Sequence, residues 1–403
     1  MDPVQRQYET YPYPDRDPAD EAKRLIEGSP SYPVEIDHFL FGGKRDWSKP
    51  FRALVAGGGT GDGLIMLAQK LADIGCPAEI VYMDLSTASR AVAEARAKTR
   101  GLTSITFVTD DLLAAPEHGL FDYIDCCGVL HHLPGPDSGF RALTEALAPG
   151  GGIGLMVYAP YGRTGVYPLQ SALTRLVGED APAEQVRLAR RVLDDLPDAN
   201  WFSQNRLLGD HRNSEAGLYD LLLHSRDRPY TVTNLVEALA QAGLAPVSFL
   251  EPARYDPLRY LPRDDAIRER VQAIAPFDRM ALAEELAGNM KTHVVYAARA
   301  GEAAEAKPSR AAAVPRLKGV SPAALARQVA AKGGFTLDSD GLTFRLDLPQ
   351  TSAPLIGAIG GRSLQQIAGE AGLDWLGFSA AWAPVHEALT GFNLLHYSER
   401  ARR

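Results

Sequence analysis

The chain has only three cysteines, at positions 76, 126 and 127, among 403 residues. Two are adjacent, in a stretch that reads as a buried strand, so no disulfide framework is expected. No run of about 18 apolar residues occurs and no cleavable leader pattern is visible, so no membrane partner is expected and the expected compartment is the cytoplasm. A basic excess is missing too: 42 Lys and Arg face 50 Asp and Glu, for a net charge of −8. Nucleic acid is therefore not expected as a constitutive partner, because binding phosphates needs a basic face. What is present is ordinary for a globular enzyme, 45% hydrophobic and 23% charged. The length suits two or three domains at ~150 residues each.

The most informative stretch is Ala53-Leu54-Val55-Ala56-Gly57-Gly58-Gly59-Thr60-Gly61. A short apolar strand runs into a glycine turn, and Leu64, Leu67, Ala68, Leu71 and Ile74 follow at helical spacing. Missing Cβ atoms let such a turn approach a nucleotide-like ligand closely. A phosphate-binding P-loop needs Lys and then Ser or Thr after the last glycine, but Asp62 and Gly63 stand there. The dinucleotide fingerprint fails as well, because its last glycine position is Asp62. A negative charge at the helix start disfavours a pyrophosphate and suits a ligand with a cationic or zwitterionic end. A glycine turn that holds no ligand is the bland alternative.

The residues downstream weigh against that alternative. Ile80 to Met83 reads as a second strand ending at Asp84, placed to accept from ribose hydroxyls, with Ser86 capping the next helix. Ile105 to Val108 reads as a third strand, after which Asp110 or Asp111 can meet the exocyclic amine of adenine and Leu112 its ring. Phe121 to Cys127 is a fourth strand leading into Gly128-Val129-Leu130-His131-His132-Leu133-Pro134, and Ile153 to Tyr158 a fifth.

In AGGGTG, YMDLS, VTDDLL, FDYIDCCGVLHHLPGP and LAPGGGIGLMVY, in that order, the chain resembles the class I S-adenosylmethionine-dependent methyltransferases. The resemblance covers residues 51–159 closely and extends loosely to about residue 300. It implies a doubly wound, seven-stranded, mostly parallel α/β sheet of Rossmann-like type and S-adenosyl-L-methionine as cofactor. It places Gly57, Gly59 and Gly61 at the methionine moiety, Asp84 at the ribose and Asp110 or Asp111 at the adenine. Gly58, Leu85, Leu112 and Gly128 complete the expected cofactor set. One departure is visible: many members carry an acid inside the first strand, where this chain has Val55.

The expected organisation is an N-terminal arm over 1–50, a methyltransferase domain over 51–300, a linker over 301–315 and an accessory module over 316–403. Insertions at 160–230 and 253–290 read as a helical lid over the sheet edge, with a packing or dimerisation appendage as the alternative. Val186, Ala189, Leu193 and Leu196 mark an amphipathic helix within the first. In the arm, Tyr8, Tyr11 and Tyr13 with Pro12 and Pro14 read as an extended segment. Its aromatic rings suit a cationic methyl donor, so Tyr11 and Tyr13 are expected at the cofactor. Simple packing of the arm on the domain is the competing reading.

For the chemistry, His131 and His132 stand at the edge where the methyl group should lie, and histidine has a suitable pKa for a general base. On an extended stretch adjacent side chains diverge, so one at most should face the substrate. No metal is expected, since no Cys or His at ligand spacing accompanies the pair. Tyr158, Tyr161 and Arg163 are the expected acceptor-binding residues. Residues 301–315 are small, charged and proline-containing. Beyond them, Ser321 and Ser363 are expected helix caps, and short strands flank Asp338-Ser339-Asp340-Gly341, which suggests a small winged-helix-like α+β module for protein contact or a homodimer. The expected activity is methyl transfer to a nitrogen or oxygen nucleophile, with a protein side chain as acceptor. A small-molecule acceptor and a cofactor-binding regulatory factor without turnover are the alternatives.

Overall fold

The computed structural model describes residues 2–399. Seven strands form its central sheet: β1 (Phe51–Ala56), β2 (Ala78–Asp84), β3 (Ile105–Thr109), β4 (Phe121–Cys127), β5 (Leu147–Tyr158), β6 (Leu244–Phe249) and β7 (Thr292–Arg299). Their spatial order is β3-β2-β1-β4-β5-β7-β6, with β7 antiparallel to both neighbours. The order reverses between β1 and β4, and ligands of open α/β sheets bind beyond the carboxyl ends of the strands at such a switch point.

These strands read as near-continuous apolar runs because helices cover both faces. One face packs Leu54, Ile124, Leu155 and Val295 under the helices Pro136–Glu145 and Val232–Gln241. The other packs Val55, Tyr82, Tyr123 and Tyr296 under Pro33–Leu40 and Asp62–Asp73. Ser86 caps the helix Thr87–Arg100 by accepting from Ser89 N at 3.0 Å, and Gly101 ends it in the left-handed region, at φ 69°.

The first insertion forms the helices Val166–Val177 and Pro182–Asp194, with a further apolar core of its own around Leu169, Val186 and Leu218. Its short helix Glu215–Leu218 continues into a π-helical turn over Tyr219–Leu223. The second insertion touches the first where Gly162 N donates to Met290 O at 2.9 Å. Its helix Pro276–Ala287 packs beside Val232–Gln241, and Arg254 pairs with Asp340 of the C-terminal module at 2.9 Å.

Two sequence expectations about the flanks need correction. Tyr8 lies in a helix, Pro3–Thr10, because Asp2 caps it and a proline occupies its first turn; the chain departs from helix only at Tyr11. Residues 301–315 are no free linker. Ala304 bridges to Phe41, Ala306 N donates to His38 O at 2.7 Å, and Ala306, Ala313 and Val314 are buried. Small residues there allow close packing on the helix Pro33–Leu40.

The C-terminal module has the helices Pro322–Lys332, Leu364–Glu370 and Trp375–Gly391 around a hairpin of Gly334–Ser339 and Leu342–Asp347. Its last strand, Leu395–Tyr397, pairs with Pro315–Leu317. Ser363 forms a full capping box, whereas the Ser321 side chain makes no cap hydrogen bond.

Candidate active site

The glycine turn is held from three sides. Gly57 N and Gly58 N both donate to Met83 O, and Gly59 N donates to the Asp84 carboxylate at 2.7 Å. Tyr82 Oη donates to Gly59 O at 2.6 Å. Gly57, Gly59 and Gly61 have φ of 68°, 51° and 101°, a conformation that favours glycine. A Cβ at Gly59 would stand 2.8 Å from Tyr13 O, so the arm lies directly on the turn. Asp84 also accepts from Ser86 N at 2.8 Å. Burial raises its pKa against those two backbone donors. Gly128, at φ 78°, leaves room: a Cβ there would meet only Met156, at 3.7 Å.

An acid stands beside Val55 on the neighbouring strand. Asp125 pairs with Val55 across the ladder, and its carboxylate stands 2.9 Å from where a Gly63 Cβ would lie. Burial pushes its pKa up to about 6, opposed by the Ser31 hydroxyl and Cys127.

Asp62 is not free to meet a cationic ligand end, as its position suggested. Arg16 grips it with bonds of 2.9 and 2.7 Å and Arg96 holds it at 2.7 Å. Burial alone would raise its pKa, but the two arginines lower it. At the third strand, Asp110 pairs with His118 at 3.1 Å and Asp111 accepts from Leu113 N at 2.9 Å. Leu112 is turned into the sheet core instead of lying open to a ring, and Leu113 is the exposed neighbour.

The N-terminal helix closes this region. Gln5 Nε2 donates to Leu85 O at 3.0 Å, and the Glu9 carboxylate accepts from Thr87 N at 2.6 Å and Ala88 N at 3.2 Å. Thr60 Oγ1 donates to Pro14 O at 2.6 Å. Tyr11 turns towards the first insertion: its ring lies tilted 5.5 Å from that of Tyr219 and its hydroxyl reaches Glu215 at 3.4 Å.

Beyond β4 and β5 lies a buried polar cluster. His131 and His132 sit on a tight turn, Leu130–His132, not on an extended stretch, so their rings converge at 4.1 Å instead of diverging. His131 lies 4.0 Å from the Tyr158 ring, and His132 stacks on His224 at 3.7 Å. Tyr8 Oη and Tyr158 Oη donate to opposite oxygens of Asp220, each at 3.0 Å. Arg163 is spent internally: Asp227 holds it at 2.9 Å and the Tyr158 ring lies 3.7 Å below it. Tyr161 is outside the cluster; its electrostatic neighbours are Glu284 and Glu285.

The hydrogen bonds fix the ring tautomers. His132 Nδ1 meets Arg226 O at 2.6 Å, and a carbonyl only accepts, so Nδ1 carries a proton and, in the neutral tautomer, Nε2 carries the lone pair. His131 Nδ1 accepts from Tyr158 N at 3.4 Å and His224 Nδ1 from Arg226 N at 3.0 Å, so both of these neutral rings carry their proton on Nε2. Burial lowers the pKa of His131 and of His224 well below the histidine range. His132, Asp220 and His224 offer atoms within 4.8 Å of one another, the spacing of a metal site. The proton on His224 Nε2, directed at Tyr8 Oη 3.3 Å away, opposes ligation there. Among the described residues, His131 Nε2 and Asp227 Oδ1 are buried without a hydrogen-bond partner.

Asp220, His224 and Asp227 were not singled out from the sequence. The only signal was the density of His, Arg and aromatic residues between Trp201 and Tyr230. In the structure the π-helical turn marks Asp220, as such turns frequently mark functional sites.

Fold and site together define an α/β enzyme that binds a nucleoside cofactor at the switch between β1 and β4. A family model described as a methyltransferase domain matches residues 54–153. An uncharacterised protein from Synechococcus is 31% identical over 286 residues, 69% of this chain and 67% of its own length. A ubiquinone biosynthesis O-methyltransferase from Burkholderia multivorans is 31% identical over 137 residues, 34% of this chain and 53% of that protein. Among solved structures, PKMT2 from Rickettsia typhi has a TM-score of 0.64 at 13% identity, covering 92% of this chain and 76% of that one, and its fold is shared. Its complex with AdoHcy gives a TM-score of 0.60. The chain belongs to the class I S-adenosylmethionine-dependent methyltransferases. Its cofactor is S-adenosyl-L-methionine. No helix of the described residues is long and apolar enough to cross a membrane.

Proposed function

We propose that this methyltransferase acts on a nitrogen or oxygen nucleophile carried by a protein side chain, with His132 as the general base. The observation that carries the reading is the bare Nε2 of His132. Of three clustered histidines it alone presents a lone pair, at the edge where β4 and β5 end. S-adenosylmethionine, when bound, supplies a methyl carbon whose bond to sulfur breaks as the acceptor's lone pair closes on it.

The chain's own residues do the rest. Gly57, Gly58, Gly59, Gly61 and Gly128 would hold the methionine end, Asp84 with Leu85 the ribose, and Asp110 or Asp111 the adenine edge. The arm with Tyr13 excludes water. The unpartnered His131 Nε2 and Asp227 Oδ1 offer a buried donor and a buried acceptor to polar groups of the substrate. His132 takes the acceptor's proton. The exposed Trp201 and Leu176 on the insertion support a macromolecular acceptor, whose contact would cover them.

Incubation with methyl-labelled cofactor and cell lysate, followed by separation by size, tests this. Label in the macromolecular fraction, lost in His132→Gln, is expected. Label confined to small molecules overturns the protein acceptor, and full transfer by His132→Gln overturns the base.

A further inference from the structure

Asp220 stands buried in the acceptor cluster, and among the described residues no arginine or lysine is bound to it; its donors are two phenols. Both carboxyl oxygens are engaged, one by each phenol. Burial raises its pKa, and the first influence opposing burial is His132, followed by the Tyr158 and Tyr8 hydroxyls and then Arg163.

We propose that Asp220 is the positioning residue of the acceptor centre. Its charge holds the imidazolium that forms when His132 Nε2 takes the acceptor's proton, and Tyr8 and Tyr158 keep it aimed. This rests on His132 as the base. The proton passes from the acceptor to His132 Nε2, the acceptor's electron pair forms the new bond to carbon, and the sulfur of the methyl donor keeps the pair of the broken bond. Asp220 gains no proton in that step; it is the counter-charge.

Tyr8 comes from the N-terminal helix, with Asp84 as its more distant acidic neighbour. Tyr158 ends β5, and Tyr13 of the arm lies within its electrostatic reach. From the turn after β4, His131 is neutral and points its proton elsewhere. His224 is neutral too, and Arg163 is matched by Asp227. This leaves Asp220 as the uncompensated charge beside His132.

A consequence follows for the arm. Tyr8 Oη holds Asp220 while Tyr8 O, one residue's backbone away, accepts from Ser86 Oγ at 3.1 Å. One turn of helix therefore ties the ribose end of the cofactor site to the acceptor's proton acceptor. Seating the helix completes both.

The test is the titration of the His132 ring by ¹⁵N NMR in the full chain with S-adenosylhomocysteine, which needs no acceptor. In Asp220→Asn the midpoint should move to lower pH by about one unit or more, since the two side chains offer polar atoms within 4.8 Å of each other and an opposite charge at about that range favours the charged form by that amount. Cofactor affinity should stay within a factor of about two, below the tenfold that 1.4 kcal/mol represents. Should melting show Asp220→Asn to be unfolded, Tyr8→Phe reads the same link: the carboxylate loses one of the two donors that keep it aimed, and the midpoint should fall. An unmoved midpoint in the folded variant overturns the proposal. Failure of methyl transfer in lysate would overturn the acceptor reading instead, and the titration would still report.

Discussion

At the scale of single residues, the cluster separates groups that a chain of amino acids leaves equivalent. His131 and His132 are neighbours of one chemistry, yet a carbonyl fixes the proton of one ring on Nδ1 and a backbone N–H leaves the other protonated on Nε2. Replacing His132 by Gln should lower turnover by about 10²- to 10⁴-fold, the usual contribution of a positioned base, with cofactor affinity unchanged. His131→Gln should act mainly on the acceptor's KM, since that ring offers a donor and no base. Parallel kinetics on the two variants check both statements; equal losses of turnover would contradict them. Asp84 makes a second residue-scale case. Asp84→Asn keeps the shape but removes the charge that receives Gly59 N and Ser86 N. Charged hydrogen bonds contribute ~1.5–3 kcal/mol, so S-adenosylhomocysteine should bind roughly 10- to 100-fold more weakly by calorimetry.

At the scale of elements, what could be read from the chain and what could not divide along contact range. The strands around the glycine turn, Asp84 at the end of β2 and the caps Ser86 and Ser363 were legible, because each rests on local spacing. The role of the first insertion was not, because Arg226 meets His132 from 94 positions away and Tyr8 meets His224 from 216. Asp220 carries no motif; only tertiary packing brings it under two phenols. Nor could Asp125 be seen standing beside Val55, since that depends on which strand lies beside β1. The N-terminal helix misled for a related reason: Pro12 and Pro14 spoke for an extended arm, while Asp2 and Pro3 start a helix before them. Its hold on the domain is concentrated in Glu9, whose carboxylate caps Thr87–Arg100 from outside. Glu9→Ala should weaken cofactor binding several-fold and speed proteolysis before residue 15, with melting temperature nearly unchanged. Limited digestion with and without S-adenosylhomocysteine would show it; equal cleavage of variant and wild type would count against the closing role.

At the scale of the whole molecule, the C-terminal module is built into the enzyme. Lys318 and Asn393 both bind the buried Glu35, whose other oxygen accepts from Tyr296 on β7 at 3.0 Å. Tyr296 Oη accepts from Ser31 N at 3.1 Å, and Ser31 in turn binds Asp125 beside the glycine turn. Lys318→Met should therefore destabilise the entire chain by ~3–5 kcal/mol, the usual penalty for stripping one partner from a buried pair, in one unfolding transition. Two separate transitions would contradict a shared core.

The same interface makes stability depend on pH. Burial pushes the Asp37 carboxyl up to about 7, against the donors Ser398 and Arg45 N. In the unfolded chain it titrates near ~3.9. Between these values the folded state keeps a proton that the unfolded state has lost, so its contribution is full below about pH 4 and disappears as pH rises through 7. Asp125, at about 6, acts with the same sign. Buried histidines such as His38 act oppositely: burial holds them neutral, and their contribution is lost as pH falls below the histidine range. Asp37→Asn isolates the carboxyl from them, because the amide oxygen can still accept from Arg45 N, now at 2.8 Å. The variant should melt close to wild type at about pH 4 and above it at pH 8.5, by up to a few kcal/mol of stability. A constant difference between the two melting curves across that range would mean that Asp37 is already ionised in the folded protein.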